Sequence, residues 1–218
     1  MKKEKKILFI LLAVLLAVLS STIVLAIKLD KSPDMQYSSD SGNTLPPRAM
    51  KSSEILNTAA ELLNSNDLVQ AEKLLTDAVK DHPANADMWL LLGTVYYRQE
   101  KYEPAENAFR HLLRRKPDNA AAYNNLCETL KKLKRYNEAK LAIGNALQLA
   151  PHQGEILLNA ASLYALQHED KQALHFLQRA LDNGITPEKI SDIKELVHLL
   201  ERPDFMNYYQ KHTRQKKE

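Results

Sequence analysis

A period of 34 residues runs through the middle of this chain, and it constrains the fold more tightly than any other feature. From Ala86 the sequence reads Trp89-x-x-Leu92-Gly93-x-x-Tyr96, then Ala105-x-x-x-Phe109, then Pro117. One period later stand Tyr123, Leu126, Cys127 and Leu130, followed by Ala139, Ile143, Ala146 and Pro151. A further period gives Leu157, Ala160, Ala161, Tyr164, Ala173, Leu177 and Ala180. One period earlier stand Ile55, Ala59, Leu62, Ala71, Leu75, Ala78 and Pro83. Apolar residues three and four apart mark one face of an α-helix. Each period therefore holds two amphipathic helices, and its proline ends the second.

The positions have separate physical tasks. Small residues at the eighth place of each copy (Ala59, Gly93, Cys127, Ala161) let the paired helices approach closely. Ala71, Ala105, Ala139 and Ala173 do the same at the start of each second helix, and larger residues fill the space that remains. Cys127 and Trp89 read as core residues rather than a reactive thiol and a ligand platform. Thr58 holds a usually large place, so the first copy should pack more loosely. After the fourth copy, Gly184 reads as a helix C-cap, Thr186 as an N-cap and Pro187 as the first residue of a new helix. Ile190, Ile193, Leu196, Val197 and Leu200 share one face of that helix, which should cover the last apolar surface until Pro203 ends it.

This pattern resembles the tetratricopeptide repeat (TPR), and the copy from Ala86 matches the repeat signature throughout. The resemblance implies an all-α, right-handed solenoid of about four helix-turn-helix repeats, at 52–85, 86–119, 120–153 and 154–186, with capping helices over 187–210. It implies that the first helices line a groove holding a peptide or a helix of a partner protein, without catalysis.

Groove positions carried over from the family select Asn57, Leu91, Asn125 and Asn159 at one register, with Asn124 beside one of them. The three asparagines look like the asparagine ladder of TPR glycosyltransferases, in which amides bond the backbone of an extended peptide. Asparagine tolerated on an exposed helix face is the competing explanation. Leu90, Tyr97, Arg98, Lys131 and Lys132 complete the candidate set and suit a partner with apolar anchors and nearby acidic groups. Leu56 and Ala60 stand where chaperone-binding relatives would place a lysine and an asparagine, which argues against that specificity.

Two basic runs, Arg110–Lys116 and Lys131–Arg135, fit cations at helix C-termini that complement the helix dipole. An acidic partner or anionic lipid is the functional alternative. Lys and Arg balance Asp and Glu at 23 each from Lys51 onward, so nucleic acid is not an expected partner. Seven histidines, one cysteine and five glycines form no metal-ligand spacing or phosphate-cradling loop. No enzyme activity, metal or cofactor is expected.

Residues 7–27 are apolar and uncharged, and as a helix their 21 positions would span about 32 Å, enough to cross a bilayer. Four lysines precede them within residues 1–6, against Lys28 and Lys31 after them. That imbalance places the N-terminus in the cytoplasm and the repeats on the periplasmic or extracytoplasmic side of the cell membrane. Cleavage after Val24-Leu25-Ala26 is the competing reading, although the apolar stretch is long for a signal peptide. Residues 28–51 read as a flexible linker and 211–218 as a disordered basic tail. The sequence thus points to a bacterial membrane-tethered protein-binding adaptor. The alternatives are a homo-oligomeric, self-assembling scaffold and a non-catalytic subunit of an export or biosynthetic enzyme complex.

Overall fold

The computed structural model describes residues 50–203 together with Phe205, Met206, Tyr208 and Tyr209. The expected membrane span at 7–27, nearly all of the linker and the basic tail lie outside them. Among the described residues no helix is long and apolar enough to cross a membrane.

Those residues are all-α, with no strand. The helices are α1 (Ser52–Asn64), α2 (Leu68–Asp81), α3 (Ala86–Arg98), α4 (Tyr102–Leu113), α5 (Ala120–Lys132), α6 (Tyr136–Leu149), α7 (Gly154–Ala165) and α8 (Asp170–Asp182). The short helices α9 (Pro187–Ser191) and α10 (Val197–Leu200) follow, with a 3-10 turn at Lys194–Leu196 between them. Odd-numbered helices from α1 to α7 are the first members of their pairs, and they begin 34 residues apart.

Local chemistry sets the boundaries. Asn85 caps α3 by accepting hydrogen bonds from the Asp87 and Met88 amides, and Asn119 caps α5 through the Ala122 amide. Each first helix ends on a residue of positive φ: Asn66 at 59°, Glu100 at 61°, Lys134 at 59° and His168 at 58°. The following amide reaches back to close each end, Asp67 to the Leu62 carbonyl, Lys101 to Tyr96, Arg135 to Leu130 and Glu169 to Tyr164. This left-handed closure turns the chain sharply into the second helix, and it is built four times without glycine.

Packing follows the small-residue positions. Gly93 on α3 faces Phe109 on α4, and a Cβ at residue 93 would lie 2.5 Å from the Phe109 ring. Only hydrogen fits there. Ala59, Cys127 and Ala161 are fully buried at the equivalent places. Burial pushes the Cys127 thiol up to about 12, so it is an unreactive core residue at neutral pH. Three large apolar clusters run along the array, one centred on Ile55, Leu75 and Met88, one on Phe109, Leu130 and Ile143, and one on Leu157, Leu177 and Ile190, with a small fourth at Ala86, Leu112 and Ala122.

Two expectations are corrected. Trp89 is only partly buried; the fully buried side chain beside it is Met88. The indole lies at the edge, where its Nε1 donates to the Pro83 carbonyl at 3.0 Å. An exposed edge is the natural place for a large ring that also needs a hydrogen-bond acceptor. The capping segment is not one continuous helix. Thr186 and Pro187 start α9 as expected, but Ile193 is extended at φ −95° and ψ 103° and breaks it. The break changes the facing register. Ile190, Leu196 and Leu199 are buried, whereas Val197 is 42% exposed. Phe205, fully buried, joins the same terminal cluster.

Candidate functional site

The first helices α3, α5 and α7 stand side by side and contribute to one surface. Thr94 and Tyr97 from α3, Asn124, Asn125 and Glu128 from α5, and Asn159 from α7 line a cleft of about 230 Å³ there. Asn159 Nδ2 donates to Asn124 Oδ1 at 2.9 Å, so amides of adjacent repeats are joined across the cleft. Among the described residues no further hydrogen bond engages the Asn124 NH2 group or the Asn159 side-chain carbonyl, and none holds the Asn125 side-chain amide. Tyr97 supplies a phenol. Burial, then the nearby Glu128, Tyr102 and Glu195, push its pKa well above the ordinary tyrosine value. It therefore remains a hydrogen-bond donor throughout the physiological range. The cleft offers donors and acceptors of both kinds within a small space, which is what an extended backbone requires.

Four of the ten candidate residues, Tyr97, Asn124, Asn125 and Asn159, meet in this cleft. The other six lie elsewhere. Asn57 is exposed on α1, and Lys132 is exposed at the end of α5. Leu90 and Leu91 are partly buried, packed against separate core clusters. Arg98 Nη1 donates to the Leu63 carbonyl at 2.7 Å, capping α1 from the neighbouring repeat.

Lys131 requires a correction, since it was expected as a solvent-facing cation of a basic run. Its side chain is buried and bonds Glu128 Oε1 at 2.8 Å and Ser162 Oγ at 2.7 Å. Ser162 in turn donates to Glu195 Oε1 at 2.7 Å. A charge buried this far stands only when paired and hydrogen-bonded. Lys131 thus joins α5, α7 and the capping segment, and it does not face a partner.

Thr94, Glu128, Ser162 and Glu195 were not among the candidates. The first three share the ninth place of their repeats, one period apart, and that register was the available signal. Glu195 carried none, because the broken cap brings it to α7.

Among the described residues no group of three or more His, Cys, Asp or Glu side chains could hold a metal ion. Comparison with known proteins places this geometry. Two tetratricopeptide-repeat family profiles match, at residues 62–130 and 120–153. A TPR repeat-containing protein of Treponema pallidum is 31% identical over 139 residues, which is 62% of this chain but 17% of that protein. The formate-dependent nitrite reductase complex subunit NrfG of Escherichia coli O157:H7 is 28% identical over 111 residues, covering 50% of this chain and 56% of that one. Among solved structures, a thermophilic TPR protein of Thermus thermophilus superposes with a TM-score of 0.63 at 23% identity, over 75% of this chain and 90% of the other. Pseudomonas aeruginosa pilF does so with 0.63 at 22%, over 76% and 73%. The signature, the helix pairs and these matches agree: the chain carries tetratricopeptide repeats, folded as an all-α TPR solenoid.

Proposed function

We propose that this protein is a membrane-tethered, non-catalytic adaptor whose first-helix face holds an extended segment or helix of a partner protein. TPR proteins mediate protein–protein interaction, and the cleft at Asn124, Asn125, Asn159 and Tyr97 is the observation that carries the reading to this chain. Amides from successive repeats bring donors and acceptors into one cleft, and a neighbouring phenol stays protonated. The tether rests on the apolar residues 7–27, with the repeats on the outer side of the membrane. Assembly or maintenance of an envelope complex is the task that suits such a tether. The likeness to a nitrite reductase complex subunit supports a role beside a larger assembly.

A photo-crosslinking residue at position 125 of the full-length chain, in native membranes, tests this. The expected product is an adduct with one other protein, reduced by Asn124→Ala and Asn159→Ala while helicity is kept. Each lost backbone bond should cost the ligand about 0.5–1.5 kcal/mol. An adduct with a second copy of this chain would replace the adaptor reading with a self-assembling scaffold. A reporter active only outside the cytoplasm, fused after Glu218, tests the tether independently; activity from a cytoplasm-only reporter would reverse the orientation.

A further inference from the structure

A second cleft, of about 570 Å³, lies between the second helices α2 and α4 with α3 beneath, and shares no lining residue with the amide cleft. This lies within the range of about 300–1,000 Å³ common to ligand clefts. Val79, Trp89, Leu92 and Tyr96 give it apolar walls. Lys80, Arg110, His111 and Arg114 are its charged or titratable lining, and no carboxylate is among its lining residues. Arg110 is held by Glu106 and Glu138, and Lys80 by Asp77, whereas Arg114 forms no ion pair among the described residues.

The chain contains a filled counterpart of this cleft. Two periods on, Phe176 stands at the place of Ala108, Tyr164 at that of Tyr96 and Leu147 at that of Val79. There the Phe176 ring stacks on Tyr164 at 5.4 Å and 15°, and Arg179 lies over it at 5.7 Å. His111 is the counterpart of Arg179. In the second repeat a buried alanine at the floor of the cleft replaces the phenylalanine, so Tyr96 lacks the ring that Phe176 supplies to Tyr164.

The geometry points to a docking site for an acidic segment of a protein partner that inserts one phenylalanine at Ala108, in the place Phe176 fills in the fourth repeat. The walls stack the ring, and the cationic rim takes flanking Asp and Glu side chains. The occupant is a peptide rather than a lipid surface because the apolar area is recessed between helices. The site is independent of the amide cleft, so either can fail without the other.

Trp89, the only tryptophan in the chain, lines this cleft and reports its occupancy. The full-length protein in neutral detergent micelles would be titrated with short synthetic peptides while Trp89 emission is followed. A peptide with one Phe among Asp and Glu should shift the emission, and added salt should weaken the response. A Lys-flanked Phe peptide and an acidic peptide with Ser for Phe should not. Arg114→Glu, an exposed change, should weaken binding about tenfold. Ala108→Phe should abolish the response by installing the ring, with helicity kept as the check on folding; if it unfolds, Arg114→Glu carries the test. Equal responses to the Phe and Ser peptides, or full affinity in Arg114→Glu, would overturn the proposal. So would a shift produced by phosphatidylglycerol added to the micelles when the acidic Phe peptide produces none.

Discussion

Two helical glycines should respond oppositely to the same substitution. At Gly93 an added methyl collides with the Phe109 ring, which is 1% exposed and cannot swing aside without opening a void. Gly93→Ala should therefore destabilise by about 1–3 kcal/mol. At Gly144, inside α6, an added Cβ meets nothing within 4 Å. Gly144→Ala should stabilise by about 0.5–1 kcal/mol, because alanine loses less backbone freedom in a helix. Thermal midpoints moving in the same direction in both variants would refute this packing. The requirement at Gly93 could be read from the sequence, since the repeat places a small residue opposite a large one. The environments of Trp89 and Lys131 could not. Whether the indole faces inward depends on its acceptor at Pro83, and Lys131 is buried by partners 31 and 64 residues further along the chain. Periodicity reports the face of a helix, not partners brought by distant turns.

Neighbouring second helices are tied by a recurring ion pair that the apolar pattern does not encode. Lys101, at the N-terminus of α4, bonds Glu72 on α2, and Arg135, at the N-terminus of α6, bonds Glu106 on α4. In the last pair the signs exchange, with Glu169 bonding Lys140. The capping segment is held by ion pairs of Glu155 with Lys189 and Asp170 with Arg202, and by a buried chain through Lys131, Ser162 and Glu195. Burial opposes ionisation of Glu195, but the Ser162 hydroxyl, its own backbone and the lysines at 131 and 132 outweigh it and hold its pKa below the ordinary 4.5. A carboxylate with a lowered folded pKa contributes stability above its unfolded value and loses it as pH falls through the folded one. Hydrogen-exchange protection of residues 187–200, corrected for intrinsic rates, should therefore decline below about pH 4.5. Glu195→Gln should flatten that decline. Lys131→Ala should expose the segment even at neutral pH, because breaking a buried pair costs about 3–5 kcal/mol. Unchanged protection in Lys131→Ala would mean that the apolar contacts of Ile190, Leu196 and Phe205, with the ion pairs of Glu155 to Lys189 and Asp170 to Arg202, hold the cap without it. The need for a cap was readable from the sequence, but the break at Ile193 was not: the apolar residues fit a continuous helix equally well, and tertiary burial decides which of them turn inward.

Every helix from α1 to α8 packs mainly on its sequence neighbours, and the three large apolar clusters follow one another along the chain. Stability in such an array is close to a sum of repeat terms and nearest-neighbour interfaces. A lesion should then be felt most where it is made and fade with distance, unlike the uniform response of a protein with one shared core. Gly93→Ala supplies the lesion, since residue 93 and Phe109 lie in the second helix pair and Phe109 belongs to the middle cluster. Hydrogen exchange read by mass spectrometry should show the largest loss of protection in α3 and α4. A smaller loss is expected in α1 and α2, which pack on α3 from one side, and in α5, which packs on α4 from the other. The pair α7 and α8 is sealed by the capping segment and meets the middle cluster only at its far end, through Ile156, Ala160 and Leu163, so it should keep most of its protection. The unaltered chain should show the same gradient more weakly, with α1 exchanging before α3 and α5, since Thr58 in the first copy stands where the second and third carry Leu92 and Leu126. Equal loss across all eight helices would make the array a single cooperative unit. The ion pairs between second helices would then couple repeats as strongly as the apolar contacts within each pair, and Glu106→Gln, which removes the carboxylate that Arg110 and Arg135 share and leaves them only Glu138, should destabilise α7 and α8 as much as α3 and α4.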